Sequence, residues 1–389
     1  MVSTFMIYLI LPVGSYHGWG VCGKYITREL SNLADIKLIT YGFMERDISD
    51  TVDYHFLKSK FVGYSESEQF KSGFNVLDYP VLQAINGPML PWQVNNRGKY
   101  KVGYTFFEDT ILDKKCINNA KNNFDLIIAG SKWNENILRS YGLENVGTII
   151  QGIDSQIFNP FDNEKKYFKD KFVIFSGGKF ELRKGHDLVI KAFKILQDKY
   201  KDVLLVTNWY NKWIHSFQTM KASPYIKYSI NSKDYNSIIS GILSDNGIDL
   251  TKVINLPLYP NTAMVKVYKN SDIGLFPNRC EGGTNLVLME YMACGKPVIA
   301  SYNTGHKDIL NDKNSIMLKN MKSRKINNGK KDISVWEEPD LDELISNLEW
   351  AYNNRDRLAE IGNQAGQNLS LLTWEKTARE FYEHFKPVI

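Results

Sequence analysis

A chain of 389 residues with 43% hydrophobic side chains can bury two sizeable cores, and with only 12 prolines it is not a disordered tether. No stretch approaches the length of apolar residues that a membrane-crossing helix needs, and Cys22, Cys116, Cys280 and Cys294 form neither a CxxC pair nor a zinc-like group, which argues against a disulfide scaffold and for a reduced compartment. A formal charge of +5 with both signs interspersed permits an anionic small molecule, a lipid headgroup surface or nucleic acid, and selects none of them.

The run FMIYLILP (5–12) reads as a first buried strand. It has no basic flank and no cleavage site, so no signal peptide is expected. GKYITRELSNLA (23–34) reads as a helix and IKLITYG (36–42) as a second strand. Between the first strand and that helix, GWGVCG (18–23) matches G-x-G-x-x-G in the required context and reads as a glycine loop. A dinucleotide-dependent oxidoreductase using Gly18, Gly20 and Gly23 is therefore a rival reading. Against it, the loop is lengthened by His17 and Trp19, and the second strand ends without an acid for a ribose, Glu45 being the nearest. FDLIIAGS (124–131) is a strand, KWNENILRSYG (132–142) a helix capped by Ser131, and VGTIIQGID (146–154) another short strand.

The stretch 156–171 is charged and turn-rich without an apolar period, and reads as a linker. A second strand–helix series follows: FVIFSGG, a helix over about 186–199 with an apolar stripe at 188, 189, 192, 193 and 196, then DVLLVTNW, KVINLPLY, SDIGLFP and KPVIAS. Residues 209–236 read as an insertion or a surface helix pair, 318–337 as a loop, and 374–386 as a helix. The fold class is α/β: two Rossmann-like domains, 1–155 and 172–370, with ligands expected in a crevice between them.

Two segments carry the chemistry. In SGGKFELRKGHD, Gly177 and Gly178 allow a tight exit from a strand, and Lys179, Arg183 and Lys184 place three cations before a helix. The order is not that of a P-loop, and a diphosphate clamp is expected. In CEGGTNLVLMEYMACGKPVIAS (280–301), Gly282 and Gly283 free backbone N–H groups to face a ligand, and Thr284 and Asn285 are placed to cap a helix whose positive end attracts a doubly charged group. Glu281 precedes the glycines, faces the site and suits sugar hydroxyls. Glu290, nine positions on and among apolar neighbours, suits a ribose diol.

At these residues the chain resembles the retaining glycosyltransferases of the GT-B fold, of the glycosyl transferases group 1 (family 4) type. The strongest likeness lies in SGGKFELRKGHDLVIKAF (176–193) and CEGGTNLVLMEYMACGKPVIA (280–300); weaker ones are GWGVCGKYITREL, VGYTFFE, IIAGSKWNENIL and IIQGIDSQIF. The resemblance implies sugar transfer from a nucleotide-diphosphate donor with retention, without a cofactor or a metal. It places Lys179 (where arginine is usual), Lys184, Gly282, Gly283, Thr284 and Gly18 at the diphosphate and Glu290 at the ribose. Glu281 falls near the donor sugar and, with Lys184 and Lys179, carries the catalytic assignment. Gly20, His17 and Glu108 fall on the acceptor side. It also implies that the last helix, within 371–389, packs back on the N-terminal domain. Two departures stand out: the glutamates are one residue further apart than is usual, and Gln151 replaces a histidine or asparagine.

Double displacement would need a carboxylate beneath the sugar, for which Glu281 is the one candidate; front-face substitution is the expected mechanism. Asp109 is a second acid on the acceptor side, and His306 reads as a loop residue near the site. A nucleotide-sugar epimerase or hydrolase on the same fold is the nearer alternative. The partners expected are a nucleotide sugar and a carbohydrate, glycolipid or other hydroxyl acceptor. A basic, aromatic stretch (91–107) hints at a peripheral membrane contact, and the expected setting is the cytoplasm or the inner face of a membrane. No nucleic acid is expected, since the basic residues form no aromatic-interleaved stripe.

Overall fold

The computed structural model describes residues 5–71, 75–211 and 214–388, which form two compact units. Unit 1 comprises Met1–Asp154 and Leu372–Ile389, and unit 2 comprises Ser155–Leu371.

In unit 1 the elements are β1 (Met6–Ile10), α1 (Gly18–Leu30), β2 (Asp35–Ile39), α2 (Thr51–Lys60), α3 (Tyr64–Lys71), β3 (Asn75–Val76), β4 (Val81–Ala84), β5 (Asn96–Arg97), β6 (Lys101–Thr105), α4 (Lys114–Asn123), β7 (Leu126–Ala129), α5 (Lys132–Ser140) and β8 (Val146–Thr148). Six of the strands form a parallel sheet in the order β2-β1-β4-β6-β7-β8. In unit 2 they are β9 (Phe172–Gly177), α6 (His186–Lys199), β10 (Val203–Asn208), α7 (Tyr235–Asp245), β11 (Val253–Asn255), α8 (Met264–Lys269), β12 (Ile273–Phe276), α9 (Leu286–Ala293), β13 (Val298–Ser301), β14 (Ile316–Leu318), β15 (Met321–Asn327), β16 (Asp332–Pro339), α10 (Leu341–Asn353) and α11 (Leu358–Leu369). Its parallel sheet runs β11-β10-β9-β12-β13-β14, the doubly wound order in which a crevice opens where the winding reverses, between β9 and β12.

The chain then completes unit 1 with α12 (Trp374–Phe385). Trp374 stacks on Tyr25 at 5.4 Å, Phe381 meets the Tyr104 ring at 4.9 Å, and the Thr377 hydroxyl donates to the Ile150 carbonyl at 2.9 Å. α12 therefore belongs to the core of unit 1, reached through both an aromatic face and backbone bonds.

Five expectations change. GWGVCG is not a loop: α1 already begins at Gly18, with the His17 ring capping it through Nδ1, which accepts from the Gly20 amide at 3.0 Å. The glycines at 20 and 23 serve close packing instead. A Cβ on Gly23 would lie 2.0 Å from the Pro12 carbonyl oxygen, and one on Gly20 would lie 2.7 Å from the His17 ring. Residues 156–171 are laced into unit 2, with Lys165 on Asp272 at 2.6 Å and Lys296 donating to the Asn163 carbonyl at 3.0 Å.

The expected loop at 318–337 is largely the antiparallel hairpin β15–β16. Ser334, Trp336 and Glu338 share one face and are buried, but Lys322 and Arg324 stand opposite them on that same face, and with Lys325 on the other face they hid the period-two pattern. Within 209–236 there is no pair of helices ahead of α7 but a 3-10 segment, Ile214–Ala222, seated by the buried Phe217 and Met220; residues 212 and 213 lie outside the described residues. The stretch 91–107 contains β6, whose Lys101 and Tyr104 are buried in the sheet, so these side chains are not available to a membrane. Among the described residues no helix is long and apolar enough to cross a membrane.

Candidate active site

Unit 2 builds its polar site from the turns that leave β9 and β12. After β9 the chain passes Gly178 (φ 114°) and a short 3-10 turn, Leu182–Lys184, before Gly185 (φ 71°) opens α6. Only glycine fits at 185: the backbone is left-handed, and a Cβ would sit 2.0 Å from the Pro277 carbonyl oxygen. This close approach ties the cationic turn to the glutamate turn. The amide of Arg279 adds a second tie, donating to the Arg183 carbonyl at 2.7 Å.

The side chains across that seam alternate in sign. Lys179, 45% exposed, meets Glu181 at 3.2 Å; Arg183 spans Glu181 at 2.9 Å and Glu281 at 3.3 Å; Lys184 meets Glu281 at 2.5 Å. Asn278 also donates to Glu281. Glu281 is only 5% exposed. Burial by itself would raise its pKa, but Lys184 and Arg183 outweigh burial and hold it down to about 2, so it is ionised at neutral pH. Burial pulls the Lys184 ammonium below its usual range, an effect that Glu281 opposes. Glu281, expected to face the site and to suit sugar hydroxyls, is the hub of a buried ion cluster. Three cations against two carboxylates leave this cluster positive, which suits a polyanion.

Beneath it lies a second buried cluster. Arg279 is fully buried; it donates to both oxygens of Asp187 at 2.8 Å and pairs with Glu338 at 3.2 Å. A buried guanidinium demands such partners, and they anchor the start of the 279–285 turn to α6 and to β16.

The turn itself departs from the expected cap. Asn285 occupies the cap position of α9 at φ 64°, and its side chain makes no cap bond; it donates to His306 Nε2 at 3.4 Å. The Thr284 hydroxyl is directed at Met289 Sδ, 2.9 Å away. Gly282 and Gly283 are buried within the same turn. Glu290, on α9, is 4% exposed and no surface acid: Asn261 donates to it at 3.2 Å and the Tyr268 hydroxyl lies 3.5 Å away.

His306, expected as a loop residue, is fully buried. Desolvation lowers its pKa to about 4 despite the opposing charge of Glu281, and Lys184 adds to the lowering. His186, packed on Trp209 and Phe180, is likewise pushed down, to about 3, by burial first and Lys184 second.

Lys179, Lys184, Glu281, Gly282, Gly283, Thr284 and Glu290 thus fall together in unit 2. His17, Gly18, Gly20 and Glu108 lie in unit 1. There Gly18 is exposed with open space where a Cβ would stand, Glu108 is half-buried, and Asp109 is exposed. Sequence reading missed Glu181, Asn278, Asn261, Asn303 and Thr304. Their roles come from contacts between distant positions, though Asn278, three positions before Glu281, was a signal available to it.

Residues 233–328 match the family model described as "Glycosyl transferases group 1". An uncharacterized glycosyltransferase of Methanocaldococcus jannaschii is 22% identical over 305 residues, which span 76% of this chain and 66% of that relative. The matched part therefore amounts to just under two thirds of the curated relative. Among solved structures, sucrose-phosphate synthase of Thermosynechococcus elongatus aligns with a TM-score of 0.68 at 14% identity over 99% of both chains. A glycosyltransferase of Rickettsia africae aligns at 0.67 and 12%, again over 99% of both. HepE of Anabaena, in complex with UDP-glucose, aligns at 0.64 and 12% over 98% of this chain and 99% of that one. The fold is GT-B: two Rossmann-like units with parallel sheets. Over residues 233–328 the chain is thus similar to the group 1 glycosyl transferases, and in fold it is similar to glycosyltransferases of known structure.

Proposed function

We propose that this protein moves a sugar from a nucleoside-diphosphate sugar to a hydroxyl acceptor with retention of anomeric configuration. The observation that carries the reading is the seam in unit 2, where the Lys179–Lys184 turn and the Glu281–Asn285 turn are bound to one another at the start of α9. In this reading Lys179, Arg183 and Lys184 face the diphosphate, and the amides of Gly282, Gly283 and Thr284 add donors at the positive end of the helix. Glu290 holds the ribose diol, replacing the bond it now accepts from Asn261. Glu281, kept ionised by its cations, sets the position of Lys184 and offers a carboxylate to the donor sugar.

The chemistry follows from fixed charge. The bond between the anomeric carbon and the phosphate oxygen breaks as the acceptor oxygen forms its bond on the same face. The acceptor proton passes to the departing phosphate oxygen. The cationic seam stabilises charge as it develops on the leaving diphosphate, so in this reading neither a cofactor nor a metal is required. In this reading Gly20, His17 and Glu108 of unit 1 serve the acceptor and Gly18 the diphosphate, with a saccharide, glycolipid or other hydroxyl compound as acceptor. The reaction is placed in the cytoplasm, where nucleotide sugars are available, with a membrane face as its setting if the acceptor is lipid-linked. The relative of known structure that was captured with UDP-glucose supports this donor class.

The test is to incubate the protein with UDP-, GDP- and ADP-sugars, with and without a panel of hydroxyl acceptors, and to follow nucleotide release and the anomer formed. Acceptor-dependent release with retention is expected, unaffected by EDTA. Release without acceptor would make it a hydrolase, and a changed sugar on intact nucleotide an epimerase. Inversion, or no turnover of any donor, overturns the reading.

A further inference from the structure

The turn between Glu281 and the start of α9 is one residue longer than the resemblance implies, and something must keep that turn in a single shape. Asn285 stands in the left-handed region at φ 64°, and Thr304, across from it, at φ 41°. A β-branched residue with positive φ is strained, and such strain persists only where the surroundings impose it. The surroundings here are one segment, 303–306, laid against the turn. The Asn303 amide donates to the Asn278 carbonyl at 2.9 Å. The Thr304 hydroxyl accepts from the Glu281 amide at 2.9 Å, and the Gly305 amide donates to the Glu281 carbonyl at 3.1 Å. Gly305 lies so near that a Cβ would stand 1.9 Å from the Gly283 carbonyl oxygen.

His306 closes the set. Its Nδ1 lies 3.1 Å from the Ser301 carbonyl oxygen, an acceptor only, so Nδ1 carries the proton of the neutral ring. Nε2 is then an acceptor, and the Asn285 side-chain amide faces it at 3.4 Å. The histidine thus connects the end of β13 to the side chain at the cap position of α9.

We infer that His306 is a positioning residue: through Asn285 it fixes the lengthened 281–285 turn so that its amides hold a donor diphosphate. This rests on the function proposed above. His306 touches neither substrate nor reacting atoms, and its part is to hold Asn285 in the left-handed conformation that starts α9 in register with Glu290.

Two near-isosteres separate its two bonds. In His306→Asn the amide nitrogen stands close to the place of Nδ1, retaining the bond to Ser301 and losing Asn285. In His306→Gln the amide oxygen reaches the place of Nε2, retaining Asn285. UDP, GDP and ADP are titrated into each full-length protein by calorimetry, with thermal melting as the control for folding. The diphosphate that binds the wild type is expected to bind H306N about five- to tenfold more weakly and H306Q about as tightly as the wild type. N285A is expected to match H306N, and the double variant H306N/N285A to be no worse than either single one. Equal weakening in H306N and H306Q, or losses that add in the double variant, overturns the inference while leaving the donor reading standing. Wild-type protein that binds none of the three diphosphates overturns the donor reading, and this inference with it.

Discussion

The two units share a sheet plan and use the polar end of it in opposite ways. In unit 2 the turns beyond β9 and β12 are filled with buried ions: Lys184 on Glu281, and Arg279 on Asp187 and Glu338. In unit 1 the space around β6 and α1 is filled with rings, Trp19 on Phe106 at 4.7 Å, Tyr104 on Phe381 and Tyr25 on Trp374. Removing one member of a buried ion cluster leaves its partners without a countercharge, whereas removing a ring leaves a void. The ionic end is therefore costly to build and suited to holding a charged ligand; the aromatic end is tolerant of acid and suited to holding a shape.

Acidification breaks this comparison across a whole unit. His186 and His306 in unit 2 have folded-state pKa values below the unfolded value near 6.5, at about 3 and about 4. Their contribution is complete above pH 6.5 and is lost as pH falls from there toward the folded values, because the unfolded chain takes up protons first. Between pH 6.5 and 5, above the range in which carboxylates titrate, unit 2 is expected to lose on the order of 2–4 kcal/mol, and unit 1 much less. Amide hydrogen exchange resolved by unit measures the difference; equal losses in both units would contradict it.

Trp374→Ala tests the aromatic end. A void beside Tyr25 should destabilise unit 1 by about 3–5 kcal/mol in denaturant titrations, with nucleotide affinity in unit 2 unchanged. Lys184→Ala tests the ionic end: transfer should fall about 10²- to 10³-fold, beyond any loss of folded protein, as read from kcat on a melting-corrected concentration. Glu290→Gln should weaken nucleotide binding about tenfold and leave kcat close to wild type once donor is saturating. Smallest is Lys325→Ala on the outer face of β15, where the 4.0 Å pair with Asp332 is exposed and stability should move by less than about 0.5 kcal/mol.

Local pattern made much of the fold legible. α6 occupies His186–Lys199, and residues 188, 189, 192, 193 and 196 are all buried along it. Ser131 caps α5 by accepting from the Asn134 amide at 3.2 Å. What stayed hidden had a nonlocal cause. In the β15–β16 hairpin β15 carries basic residues on both faces, Lys322 and Arg324 on the one shared with Trp336 and Lys325 on the other, so its inner face is identified only by what it packs on. Gly20 and Gly23 of α1 contribute to a glycine-loop spacing because close packing against Gly14 and Pro12 calls for that residue type. At the site the residue types were legible and their partners were not. Nothing local to Glu281 reveals that Lys184 and Arg183 reach it from a turn almost a hundred positions away, or that His306 lies behind it.

The chain enters unit 1, leaves it after Asp154, and returns only at Leu372. During synthesis, unit 1 therefore waits without α12 while the whole of unit 2 emerges, on the order of ten to forty seconds at ordinary translation rates. Over that interval the faces of Tyr25 and Tyr104 that later meet Trp374 and Phe381 are uncovered. The half translated first is the half completed last, and the step that completes it is the docking of a single terminal helix.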